Sequence, residues 1–277
     1  MTTLYEGAYA KLNLTLDVLG KRDDGYHDLK TVMQTISLRD DIQIDLGTGK
    51  PWAIVCDKEG VPTDETNLCW KAARLYFDTV KKDPDGLTIT ITKRIPMQAG
   101  LGGGSADAAF ALKMLNDIAG LGLTAGQLRG YASRIGADCA FFIYNTPMMA
   151  TGIGDILSPT EVQLKGKTLL LVKPNVSVPT AVAYSRVTPK PSDIELTNIL
   201  SQPIAEWKNL LKNDFEPSVF AAHPELADIK QQIYDLGAVY ASMSGSGSSI
   251  FGIFESANMA ENAKSTFAEI DAYVINL

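Results

Sequence analysis

The stretch Lys93–Asn116, KRIPMQAGLGGGSADAAFALKMLN, decides how the rest of the chain is read. Alternating Leu87, Ile89 and Ile91 lead into it as a strand, and Ile95-Pro96 breaks the alternation. Gly100, Gly102, Gly103 and Gly104 follow, with Leu101 the one side chain among them. Ser105 stands in a typical N-cap position, and Ala106–Leu115 is a helix-forming run with Asp107 in its expected first turn. A strand thus runs through a glycine loop into a helix N-terminus. Without Cβ atoms such a loop turns backbone N–H groups inward, and the helix end adds positive potential. The arrangement predicts an anion site suited to phosphate. A flexible glycine turn is the alternative, and the flanking strand and helix weigh against it.

The loop is not of the Walker A type, which needs Lys and Ser/Thr directly after its second glycine. Gly166-Lys167-Thr168 has Glu161 where that motif requires its first glycine. A dinucleotide fingerprint would need glycine at Ser105. The full pattern Pro96-x-x-x-Gly100-Leu101-Gly102-Gly103-Gly104-Ser105-Ala106-x-Ala108-Ala109 resembles the second motif of the GHMP kinases. Those enzymes phosphorylate small-molecule alcohols and bind ATP phosphates with this loop. The resemblance implies that Pro96, Met97, Ala99, Gly100, Leu101, Gly102, Gly103, Gly104, Ser105 and Ala106 bind ATP.

The whole chain is compatible with a soluble enzyme. Its 277 residues can bury one large core or two moderate ones. It is 45% hydrophobic and 21% charged, as in an ordinary globular protein. A net charge of −7 argues against a nucleic-acid partner. Cys56, Cys69 and Cys139 have no metal-type spacing, and their odd number suits a reducing compartment, so a cytoplasmic location is expected. Met1–Leu16 lacks the charge and apolar core of a signal peptide, and no run reaches membrane-spanning length.

Taken in order, AYAKLNLTLDV (residues 8–18) alternates Leu12, Leu14, Leu16 and Val18 with Lys11, Asn13, Thr15 and Asp17, which predicts a strand with a polar face. A turn at Lys21–Gly25 precedes Tyr26-His27. Val32, Gln34 and Ile36, then Ile42, Ile44 and Leu46, read as two strands around an Arg39-Asp40-Asp41 turn. Residues 67–80 show helical spacing behind Thr66 or Asn67 as N-cap. Thr124-x-x-Gln127 is a capping box for a helix to about Ile135, and the apolar run after Asp138 reads as a strand. Pro189, Pro191 and Pro203 mark residues 190–210 as a loop with short helices. Ser242–Gly252 joins two strands through a second glycine-serine loop. From residue 156 onward the order is strand, helices, two strands, helix, strand, which is ferredoxin-like.

Three further segments extend the resemblance to the GHMP kinases. AKLNL followed by KRDDGYHDLKTVMQ is similar to the branch whose acceptor is a cytidine-diphosphate-linked polyol of non-mevalonate isoprenoid synthesis, where the Tyr-His pair recognises cytosine. GADCAFF is similar to the family's Gly-Ala-Asp-x-x-Phe-Phe, whose Asp is the catalytic base, and SGSGSS to its third motif. The resemblance therefore implies Lys11 and Asp138 as catalytic residues and Asn13, Tyr26, His27, Thr180 and Tyr184 as acceptor contacts. It also implies Asn67 at the nucleoside end of ATP, and Mg²⁺ arriving with ATP rather than in a carboxylate cage.

The expected fold is α+β in two domains. Residues 1–155 would form the ATP-binding domain, resembling ribosomal protein S5 domain 2, and residues 156–277 a ferredoxin-like domain. The expected partners are ATP and one small-molecule acceptor, with no nucleic acid and no membrane, in a monomer or weak homodimer. The remaining readings are a GHMP kinase for homoserine, mevalonate or a sugar, and a non-catalytic protein on the same scaffold.

Overall fold

A computed structural model describes residues 1–192 and 194–277. The chain folds into two compact units that are discontinuous in sequence. One comprises residues 1–10, 38–95 and 102–146, the other residues 11–37, 96–101 and 147–277. Strands β1 (Thr2–Lys21) and β2 (His27–Leu46) pair with each other, and each supplies residues to both units. The two short strands expected around Arg39-Asp40-Asp41 are one continuous strand.

The reason lies at Asp40. Its carboxylate accepts the backbone N–H groups of Arg94 and Ile95 at 2.5 and 2.8 Å and pairs with the Lys93 ammonium, so a charged triplet that resembles a turn is held inside a sheet.

The first unit contains β3 (Ala53–Cys56), α1 (Leu68–Val80), β4 (Leu87–Thr92), α2 (Gly103–Ala119), α3 (Ala125–Ile135) and α4 (Cys139–Tyr144). Residues 41–46 of β2 pair antiparallel with β4, and β3 pairs parallel with it. Helices α1 and α2 pack on each other, as do α2, α3 and α4. Asn67 caps α1 and the Thr124/Gln127 box caps α3, both as the sequence indicates. Two expectations fail here. Helix α2 starts at Gly103 behind Gly102 in the left-handed region, so Ser105 is its third residue, not its cap, and Asp107 lies beyond its first turn. The apolar run after Asp138 is helical rather than extended.

The second unit contains β5 (Met148–Thr151), β6 (Ile156–Pro159), β7 (Thr168–Lys173), α5 (Thr180–Arg186), α6 (Leu196–Leu200), α7 (Trp207–Leu210), α8 (Glu216–Ala222), α9 (Pro224–Asp235), β8 (Tyr240–Met243), β9 (Ile250–Phe254), α10 (Ala257–Lys264) and β10 (Asp271–Asn276). The last four strands form an antiparallel sheet of order β10-β7-β9-β8, the ferredoxin-like order. Leu170, Val172, Ile250 and Phe254 of that sheet share a core with Leu226, Ile229 and Ile233 of α9 and Ala260 and Ala263 of α10. Gly252 makes the approach of α9 possible, because a Cβ there would stand 2.3 Å from Ile233 Cγ2. Short helices occupy the proline-marked segment 190–210 as expected, with Asp193 outside the described residues. Among the described residues no helix is long and apolar enough to cross a membrane.

Buried charge is concentrated in the first unit. Lys93 Nζ pairs with Asp40 and lies 2.8 Å from Asp107 Oδ2, while Asp107 Oδ1 is buried without a hydrogen-bond partner. Burial pushes the Asp107 carboxyl up to about 7, with Lys93 opposing and Asp40 reinforcing the rise. Burial pulls Lys93 down, but the two carboxylates more than offset it and its ammonium is held above the usual range.

Because the folded Asp107 binds its proton more tightly than the unfolded one, its contribution to stability is complete below the ordinary value of 3.8 and is lost as pH rises toward about 7. Asp107→Asn, which cannot ionise, should therefore gain stability relative to the parent as pH rises from 3.8 to about 7. Urea midpoints of both proteins across that interval check this; a difference that stays constant or moves the other way contradicts it.

Candidate active site

Strand β1 is covered on both faces. Lys11, Asn13, Thr15 and Asp17 are as buried as Ala10, Leu12, Leu14 and Leu16, so the polar face is not a solvated rim. Buried polar groups need partners, and here they find them in series. Lys11 Nζ donates to Asn13 Oδ1 at 2.6 Å and to the Gly100 carbonyl at 3.1 Å. Asn13 Nδ2 donates to Thr31 Oγ1 at 2.8 Å, and Thr31 Oγ1 donates to the Thr15 carbonyl at 2.6 Å. The Lys11 ammonium is thus oriented by a chain of hydrogen bonds that begins on β2. Asn13, expected as an acceptor contact, spends its side chain on this orientation.

The Gly100 carbonyl is also held from the other side. Ser244 Oγ donates to it at 2.9 Å and accepts the Asn13 backbone N–H at 3.2 Å. The approach is so close that a Cβ on Gly100 would fall 1.9 Å from the Ser244 carbonyl oxygen, and Gly100 has φ +73°. Both conditions admit only glycine.

The glycine-serine loop 244–249 is fixed in turn by Asn213. Its Nδ2 donates to the Met243 and Gly245 carbonyls at 2.7 and 2.8 Å. Glu216 accepts the Met243 N–H at 2.9 Å and is paired with Lys230 at 2.6 Å. The sequence alone assigned Asn213 and Glu216 no role. Their signal was a polar pair beside a core aromatic.

The other half of the glycine loop opens α2 in the first unit. Gly104 is exposed, whereas the Leu101 and Ala106 side chains are buried. A Cβ on Gly103 would stand 3.3 Å from Lys93 Nζ, so the buried ammonium and its two carboxylate partners lie beneath this helix N-terminus. The Ser105 hydroxyl is hydrogen-bonded to the Cys139 thiol, which burial pushes up to about 12 despite that bond. Asp138 is half-buried at the N-cap position of α4, without a side-chain cap hydrogen bond. Asn67, by contrast, caps α1. Its Oδ1 accepts Cys69 N–H and its Nδ2 donates to the Pro62 carbonyl, as a helix cap requires.

In the second unit two of the residues expected at the acceptor, His27 and Tyr184, meet. His27 stacks on Tyr184 with ring centroids 5.0 Å apart and an interplanar angle of 27°. Tyr184 rests edge-on against Phe215 at 4.8 Å, and Thr180 Oγ1 lies 3.3 Å from Ser246 Oγ. Tyr26 remains 59% exposed, an aromatic ring free to meet a ligand. Among the described residues no group of three or more His, Cys, Asp or Glu side chains could hold a metal ion.

Two family models match this chain: GHMP kinases N terminal domain over residues 67–146, and GHMP kinases C terminal over residues 196–270. The chain belongs to the GHMP kinase family. A 4-diphosphocytidyl-2-C-methyl-D-erythritol kinase of Bacteroides fragilis is 47% identical over 88% of this chain and 90% of its own length. One of Parabacteroides distasonis is 47% identical over 89% of this chain and 90% of its own. A crystal structure of 4-(cytidine 5'-diphospho)-2C-methyl-D-erythritol kinase superposes with a TM-score of 0.83 at 30% identity, covering 98% of each chain. The glycine loop lies within the first matched span and the glycine-serine loop within the second.

Gly100→Ala should abolish activity and lower stability by more than about 3 kcal/mol, since the new Cβ meets backbone and cannot be relieved by a rotamer change. Thermal unfolding and ADP release of the variant check this; near-parental values for both contradict the close approach.

Proposed function

We propose that this chain transfers the γ-phosphoryl group of ATP to the 2-hydroxyl of 4-diphosphocytidyl-2-C-methyl-D-erythritol, in non-mevalonate isoprenoid synthesis. The observation that carries the acceptor is the aromatic set Tyr26, His27 and Tyr184, drawn from two distant segments of one unit. It offers ring faces for stacking and an imidazole nitrogen for a pyrimidine edge. The relatives with the same printed activity support the same acceptor.

The residues fit a nucleotide at the glycine loop. Gly102–Gly104 present backbone without side chains at the start of a 17-residue helix, above the Lys93 ammonium. ATP with Mg²⁺ would supply the phosphoryl group and neutralise its charge, and the ion would come with the triphosphate. Phosphoryl transfer asks the protein mainly for positioning and charge stabilisation. Lys11 is built for the first, with its ammonium aimed by Asn13 and the Gly100 carbonyl. Asp138 takes the proton of the acceptor hydroxyl, a role for which its carboxylate is left outside the helix cap. Tyr26, His27, Thr180 and Tyr184 hold the cytidyl end. The three free thiols accord with a reducing, cytoplasmic setting.

ADP release with Mg-ATP, compared for the cytidyl-linked methylerythritol, homoserine, mevalonate and galactose, tests the assignment. Turnover is expected with the first alone, and Asp138→Asn should cut kcat by about 10²–10⁴-fold while acceptor binding persists. Turnover with another of these alcohols would overturn the acceptor and leave the kinase.

Tyr26→Ala isolates the aromatic contact, because this exposed ring has no core to lose. It should raise the acceptor KM by about tenfold, the effect of one lost base-stacking partner, with ATP KM and Tm unchanged. An unaltered acceptor KM would remove Tyr26 from the site.

A further inference from the structure

The segment 174–179, between β7 and α5, has no part in the chemistry proposed above, yet it is tied down along its length. Lys173 Nζ donates to the Pro174 and Val176 carbonyls at 2.7 and 2.9 Å. Ser248 Oγ donates to the same Val176 carbonyl, and Val178 is buried in the core. Ser177 Oγ donates to Gln98 Oε1 at 2.6 Å. Immediately after the segment, Thr180 meets Ser246.

These contacts close a circuit of three loops within one unit. Gly100 joins the first half of the glycine loop to the loop 244–249 through Ser244. Ser248 and Ser246 join that loop to residues 176 and 180. Ser177 joins the segment back to the glycine loop at Gln98.

Gln98 is the least expected member. Its φ is +50°, in the left-handed region that a residue with a Cβ occupies at a cost. Glycine would hold that conformation freely, so the glutamine is there for its side chain. That side chain is exposed and makes one hydrogen bond, to Ser177.

We propose that the Ser177–Gln98 hydrogen bond is a latch that couples the donor loop to the acceptor helix. Binding at the glycine loop fixes Gln98. Gln98 fixes segment 174–179 through Ser177, and that segment sets α5, which carries Thr180 and Tyr184. Gln98 and Ser177 are positioning residues, and the effect is a coupling between two ligand sites. It rests on the reading that the glycine loop takes ATP and that α5 contacts the acceptor.

The test is amide hydrogen exchange across residues 174–186, with and without a nonhydrolysable ATP analogue and Mg²⁺, in the parent, Ser177→Ala, Ser177→Thr and Gln98→Gly. In the parent the analogue should slow exchange in this stretch by about fivefold, the equilibrium weight of one ordinary hydrogen bond. Ser177→Ala and Gln98→Gly should lose the slowing while still binding the analogue within about threefold of the parent, and Ser177→Thr, which keeps the hydroxyl, should retain it. A merely structural role would not move an ATP-linked difference.

Equal slowing in Ser177→Ala and parent, or none in the parent, overturns the latch. Binding of cytidine diphosphate is measured separately. Slowing that is present in the parent and lost in Ser177→Ala, without any binding of cytidine diphosphate, upholds the latch and overturns the acceptor assignment instead.

Discussion

The backbone carbonyl of Gly100 is the constraint on which the catalytic geometry depends. It accepts from the Lys11 ammonium and from the Ser244 hydroxyl, and the close approach of Gly100 to Ser244 leaves no volume for a side chain. One oxygen thereby fixes three elements: the strand that carries Lys11, the glycine loop, and the glycine-serine loop. Asn13 reinforces the arrangement twice, through its side chain to Lys11 and through its backbone to Ser244. A lysine side chain has four rotatable bonds and loses much entropy when held in one place. Burial among fixed acceptors supplies that restraint before any substrate arrives.

The rest of the second unit supports this point from behind. Asn213 holds the carbonyls on either side of Ser244, and Glu216 with Lys230 holds the end of β8. In the first unit the corresponding investment is the Lys93, Asp40 and Asp107 cluster. Removing one member of such a buried group costs about 3–5 kcal/mol, because the partners are left charged and dry. The cluster is therefore a weak source of net stability. What it does is tie the chain ahead of the glycine loop to β2 and α2, through Lys93 paired with Asp40 and Asp107.

Much of this was legible in the sequence. Alternation marked β1, the glycine spacing marked both loops, and the order of elements after residue 156 indicated the ferredoxin-like sheet that is found. Local signals also placed the caps of α1 and α3. The break expected in β2 failed through tertiary contact over long sequence separation. Arg39-Asp40-Asp41 reads as a turn because the groups that satisfy Asp40 lie more than fifty residues away. The start of α2 was misplaced by three residues because Gly102 can take the left-handed conformation that Ser105 was expected to make unnecessary.

Lys11 orientation through a shared carbonyl is the central claim, and Ser244→Ala measures it most directly. The variant removes one hydroxyl and no carbon framework, and leaves Lys11, Asp138 and the glycine loop in place. The rate of phosphoryl transfer from the saturated complex should fall by about tenfold, with ATP affinity within about threefold of the parent, because the interaction lost acts on alignment rather than on binding. A parental rate, or a loss confined to ATP affinity, would contradict the account.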